Sequence, residues 1–204
     1  MTLLTGAAVL LLIASLAAIG MMQTNVADAA SKNIIFHENF KDFSASAEKT
    51  ITEGSITTSI SVEAFTSTSG NTEVCAAILK WDDSSGERTY LTELFGCSPP
   101  DKLTISHSLN SATFSGTIAG FDYTTEKEKT VTVNADLTAT GKAEHYTFRE
   151  GFTTPDIKFA SHENGAHRPA SGSIDISGGF TFSTDDASGK ISNLRGGSIE
   201  VQRL

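Results

Sequence analysis

The stretch Thr130-Val131-Thr132-Val133-Asn134-Ala135-Asp136-Leu137-Thr138-Ala139-Thr140-Gly141 decides the fold. Apolar Val131, Val133, Ala135, Leu137 and Ala139 alternate with polar partners, the period-2 pattern of a strand with one face buried. The pattern recurs on both sides. Ile56 to Phe65 alternates at Ile60, Val62 and Ala64, and Ala112 to Ile118 at Ala112, Phe114, Gly116 and Ile118. Pairs Ile174/Ile176, Phe180/Phe182 and Ile199/Val201 carry it toward the end, while Thr72 to Trp81 is denser and reads as a central strand buried on both faces. Turn clusters separate these runs at Ser69-Gly70-Asn71, Asp82 to Gly86, Ser98-Pro99-Pro100-Asp101, Asp185 to Gly189 and Arg195-Gly196-Gly197. No helical period survives after residue 30.

Many short strands with frequent turn signals predict an all-β domain over residues 30–204, an antiparallel β-sandwich, with a lipocalin-like up-and-down barrel as the alternative. The inward residues are small and aliphatic, with few aromatics to line a barrel cavity. No fixed-period repeat and no low-complexity linker divides the chain.

The first 29 residues are of another kind. No charge occurs from Met1 to Ala27, Leu3 to Met22 is almost wholly apolar, and Ala27-Asp28-Ala29 offers small residues at a cleavage site. The segment is expected to be a secretory signal cleaved after Ala29. An uncleaved membrane anchor is the alternative, since the apolar run approaches bilayer-spanning length and carries no basic flank. Either way residues 30–204 are expected outside the cytoplasm, secreted or on the extracellular face of the membrane. Of 24 acidic residues only Asp28 is lost with this segment, leaving 23 against 15 basic residues. So acidic a chain, with no basic stripe interleaved with aromatics, argues against nucleic acid as a partner.

Cysteine use fits export. Cys75 and Cys97 are the two cysteines, and in an oxidising compartment an isolated pair is most simply a disulfide. No CxxC spacing supports zinc or a redox dithiol on them.

Three segments carry a resemblance. Leu109-Asn110-Ser111-Ala112-Thr113, then Val131 to Gly141, then Phe159 to Gly172, resemble a family of small exported β-proteins sharing an L-x-S-A-T strand and a V-x-V-x-x-x-L-T-x-T-G strand. Family members usually have aromatic residues where this chain has Ala135 and Ala139. The resemblance covers about residues 60–180 and implies export and β architecture, with no activity or ligand attached.

Chemistry is sparse. The densest group of potential ligands is Ser161-His162-Glu163-Asn164-Gly165-Ala166-His167, which holds two of the five histidines. It is not the helical H-E-x-x-H of zinc proteases: the histidines are five apart, and Gly165 and Pro169 oppose a helix. Asn164-Gly165 instead predicts the centre of a type I′ hairpin turn, which would set His162 directly across from His167 with Cβ atoms roughly 5 Å apart. Such a pair could grip a divalent metal with Glu144, His145 or a loop Asp as third ligand; the alternative is a solvated hairpin tip. Protonating both imidazoles would then set like charges opposite one another and loosen the tip. His37-Glu38-Asn39 repeats three of these letters and reads as coincidence.

The acidic turns Asp82 to Glu87 and Asp185 to Gly189 could offer oxygens to calcium but lack the EF-hand spacing. Trp81 could be a stacking platform for sugar or half-buried core. No nucleophile elbow, phosphate loop or defensible Ser/His/Asp set occurs, so no catalytic residue is assigned and an enzyme is not the expectation. Three functions follow: an exported non-catalytic binding or structural β-protein; a metal-binding protein or metal-dependent enzyme on His162 and His167; and a subunit of an extracellular assembly in which Ser198 to Arg203 serves as an edge that accepts a neighbour's strand. No cofactor is required by the sequence.

Overall fold

The computed structural model describes residues 34–67 and 70–203. The expected leader, residues 1–29, lies outside them. Ten antiparallel strands make up the fold: β1 (Ile34–Glu53), β2 (Ile56–Ser67), β3 (Thr72–Asp82), β4 (Thr89–Ser98), β5 (Lys102–Ile105), β6 (Ser111–Asp122), β7 (Lys127–Ala139), β8 (Glu144–Thr153), β9 (Ile157–Gly178) and β10 (Phe182–Arg203). There is no helix among the described residues.

Strand order is β10-β1-β2-β3-β4-β6-β7-β9-β8, with β5 on β6 and a further pairing of β9 with β10. The result is an antiparallel β-sandwich whose pairing runs round eight strands without forming the even up-and-down barrel given as the alternative. Its weakest joint is β4–β6, where only Leu94↔Asp122 and Phe95↔Phe121 pair. Asp122 secures that joint from inside: its buried carboxylate accepts the Glu93 N–H (3.3 Å), the Thr124 N–H (3.1 Å) and the Thr125 hydroxyl (2.9 Å), and Lys129 Nζ lies 2.6 Å away. Burial pushes this carboxyl up, but Lys129 and the three donors outweigh it and hold it at about 2.

The core forms one cluster that joins the alternating residues of all the principal strands. Val131, Val133, Ala135 and Leu137 of β7 are buried, as are Ile60, Val62 and Ala64 of β2 and Ala112, Phe114 and Ile118 of β6. Alanines fill much of β1, β9 and β10, at Ala45, Ala47, Ala166, Ala170 and Ala187, so the facing strands approach closely. Gly172 shows how closely: it pairs with Leu137 on β7 and Ala187 on β10, and a Cβ there would collide with the Asp136 carbonyl. Cys75 and Cys97 are cross-strand partners on β3 and β4 and form a disulfide, with Cα atoms 4.1 Å apart. Closing 22 residues is worth about 3 kcal/mol in the chain-entropy model.

Three expected turns are not turns. Asn164-Gly165 lies in the middle of β9, and Asp185 to Gly189 and Arg195-Gly196-Gly197 lie within β10. The last two mark β-bulges, with register shifts between Thr184/Ala187 and Leu194/Gly196 against β9. A type I′ turn needs positive φ at both central residues, and neither Asn164 nor Gly165 has it. Gly165 is small for another reason: a Cβ would strike the Asn193 carbonyl and the Tyr146 ring. The turns that do form at Gly70 and Gly86 have positive φ, 89° and 80°.

The long strands overrun the body of the sandwich. Residues 158–167 of β9 pair with β8 on one side and with β10 on the other, and β10 continues onto residues 34–43 of β1. β8, β9, β10 and β1 thus extend past the core as a four-stranded wing.

Candidate functional site

The wing inverts the polarity of the body. On β9 the even-numbered residues face inward: Ala166, Ala170, Ile174 and Ile176 are buried in the core. Continued past the core, that same face presents Ala160, His162 and Asn164. β1 behaves likewise, carrying buried Ala45 and Ala47 in the body and His37, Asn39 and Lys41 in the wing. On β10 the Leu194/Gly196 bulge shifts the alternation so that Gly196, Ser198 and Glu200 join them.

Register sets these side chains in rows. Arg149 is opposite His162, His162 opposite Ser198, and Ser198 opposite Asn39, a polar row across all four strands. The next row runs Gly151, Ala160, Glu200, His37. Two open clefts occupy this face and meet at His162 and Ser198. Toward one end His37 Nδ1 lies 3.6 Å from Glu200, whose other oxygen accepts a hydrogen bond from the Gln202 amide, and His37 Nε2 is 3.1 Å from the Asn39 amide nitrogen. At the other end the Asn164 amide donates to the Gly196 carbonyl at 3.2 Å. The repeated triplets His37-Glu38-Asn39 and His162-Glu163-Asn164 are therefore neighbours: they run parallel on either side of β10, staggered so that Asn39 and His162 both stand opposite Ser198. Reading the repeat as coincidence missed this.

The outer face of the wing carries an apolar patch. Phe148 and Phe152 of β8 are 49% and 56% exposed, and Ile157 of β9 is 38% exposed. Phe152 stacks on Phe159 with centroids 5.0 Å apart, beside Val201 and Phe36 in the same row. Among the described residues β8 pairs on one side only, with β9, so its other edge is open along ten residues.

The expected metal pair is not assembled. His162 and His167 are five residues apart on one extended strand, so they point to opposite faces and stand roughly 16 Å apart along it. His162 is on the inner face; His167 is on the outer, where its Nε2 lies 3.2 Å from Glu144 and its ring 6.2 Å from that of Tyr146. Glu144, foreseen as a third ligand, thus sits with His167 but not with His162, and the charge repulsion expected at a hairpin tip does not arise. Burial, then the carboxylates of Glu163 and Asp42, push the Tyr146 phenol up. Among the described residues the one group spaced to hold an ion is Glu73, Cys75 and Cys97, whose sulfurs are committed to the disulfide.

The other expectations fare similarly. In the first acidic loop Asp82 accepts the Ser84 N–H, and Asp83 accepts the Trp81 indole N–H (2.9 Å) and faces Arg88. In the second, Asp186 pairs with Lys49 at 2.6 Å. The Arg88 guanidinium covers the Trp81 ring at 4.5 Å, occupying one of its faces. Ser198–Arg203 is not an edge, since β1 and β9 flank it; the open edge belongs to β8. Arg149 and β8 as a whole carried no sequence signal that set them apart.

No protein-family model matches the chain, and neither a curated protein nor a solved structure is significantly similar to it.

Proposed function

We propose that the protein is an exported, non-catalytic β-sandwich that works as a subunit of an extracellular assembly, with β8 as the strand that receives a neighbour. The observation that carries this reading is the open edge of β8 with exposed Phe148 and Phe152 beside it. An unpaired strand edge is a template for another chain, and natural sheets usually guard it with charge, proline or a bulge. β8 has no proline and no bulge against β9, and its charges, Glu144, Arg149 and Glu150, leave the stretch Tyr146-Thr147-Phe148 uncharged. The neighbour that fits is a second copy. Antiparallel pairing centred on Phe148 sets that ring opposite its own counterpart and brings the apolar patch of Phe148 and Phe152 beside the partner's. Export is supported by the apolar leader and by the Cys75–Cys97 disulfide, which suits an oxidising space.

Light scattering over a concentration series tests the reading. Wild-type protein is expected to associate with rising concentration, and Phe148→Lys with Phe152→Lys to remain monomeric while keeping its circular dichroism. A wild type that stays monomeric throughout, or a double variant that associates equally well, overturns it.

A further inference from the structure

The inner face of the wing supports a separate function, independent of the β8 edge. It contains two polar side chains that have been brought together and left without partners. Arg149 and His162 are directly opposite each other on β8 and β9, and among the described residues neither forms a hydrogen bond or ion pair. Arg168, by contrast, spends its guanidinium on the Gly141 carbonyl and Asn110, and Arg88 spends its own on Asp83 and Trp81. The row continues through the Ser198 hydroxyl to the Asn39 amide, and Lys41 lines the adjoining cleft. These groups are mostly donors. Glu200 is the acid whose side chain faces the same clefts, and it is engaged by His37 and Gln202. Glu150 borders one cleft, but strand alternation turns its side chain to the outer face. Glycines at 151 and 196 leave the floor between the side chains low.

A guanidinium fork beside an imidazole, with a hydroxyl donor on the far side, matches a planar or tetrahedral oxyanion. Arg presents paired N–H groups to such anions, and charge assistance makes those bonds about twice as strong as neutral ones. The setting sharpens the point: a chain with formal charge −9 keeps an unpaired cation on its concave face.

We infer that the inner face of the wing is a binding site for an oxyanion, a carboxylate, sulfate or phosphate borne by an extracellular ligand, with Arg149 and His162 as its anchors and Ser198, which lines the same cleft, completing it.

The test is an NMR titration of the purified protein with sodium acetate, sodium sulfate and inorganic phosphate in turn, at constant ionic strength held with chloride. Saturable shifts are expected at Arg149, His162 and Ser198 for at least one anion. The anion that binds tightest identifies the source as a carboxylate or as a sulfate or phosphate ester. Arg149→Gln is expected to weaken that binding by about tenfold or more, the loss of a charge-assisted pair, and Arg149→Lys by less. Arg203→Gln, at the far end of β10, is expected to change it less than twofold. Amide spectra identify any variant that has lost its fold, in which case Arg149→Lys and His162→Gln carry the comparison. Absence of saturable response to all three anions, or an affinity unchanged in folded Arg149→Gln, overturns the inference.

Discussion

Arg149 stands directly across the β8–β9 ladder from His162, and neither side chain has a partner among the described residues. Twelve residues further along the inward face of β9 stands Ile174, wholly buried. One face of one strand thus passes from packed core to unpaired polar groups.

Asp122 ties the two-pair joint between β4 and β6, so its loss should be felt by the whole ring. Asp122→Ala leaves the Lys129 ammonium and two backbone N–H groups without their acceptor, a cost of roughly 2–4 kcal/mol. The pH dependence has a definite sign. The folded carboxyl is held at about 2, below its ordinary 3.8, so its contribution is complete above pH 4 and is lost as pH falls through the folded value. Urea unfolding at several pH values between 2 and 6 should show wild-type stability falling through this window more steeply than that of Asp122→Asn.

The disulfide joins directly paired residues of β3 and β4. Cys75→Ser with Cys97→Ser is expected to lower stability by about 3 kcal/mol without changing the fold. Denaturant melts with and without reductant check it: reductant should bring the wild type to the level of the double variant and leave the variant where it was.

Two glycines should respond differently to alanine. At Gly54, in the β1–β2 turn with φ 64°, nothing lies within 4 Å of an added Cβ, and only the left-handed backbone is disfavoured, a cost of about 1 kcal/mol. At Gly172 the Cβ meets the β7 main chain, with Leu137 Cα at 3.0 Å, and the strands must part. That overpacking is expected to cost about 3 kcal/mol. Thermal melts of Gly54→Ala and Gly172→Ala measure the order.

Because His162 and His167 face opposite ways, they cannot chelate together. Zinc titration by calorimetry should give affinities within about threefold for wild type and for His162→Ala with His167→Ala, less than 1 kcal/mol on the affinity scale. A tight one-to-one zinc site that the double variant abolishes would contradict the strand geometry.

The body of the sandwich was legible because its strands are buried on one face and say so in period 2. Val131, Val133 and Leu137 are all completely buried, as are Ile60 and Val62. Gly70 and Gly86 were legible as turns because positive φ is a local demand that glycine meets locally. The same residue types elsewhere answered non-local demands. Gly165 makes room for Asn193 and Tyr146, and Gly196 follows a bulge, so their neighbours on other strands, not their own backbones, explain them. The clefts were hidden for the same reason. Arg149, His162, Ser198 and Asn39 meet only through three successive strand registers, none of which a local pattern specifies. One sign was visible, the doubled His-Glu-Asn, and it needed β10 between its two copies to acquire meaning.

Every property assigned to the wing requires β9 to run extended through Asn164-Gly165. Spin labels at positions 162 and 167, with the inter-label distance measured by electron paramagnetic resonance, test this most directly. An extended strand predicts a separation of roughly 16 Å or more, widened by labels that leave opposite faces. A separation near the roughly 5 Å of directly paired residues would mean a hairpin, and the wing as described would not exist.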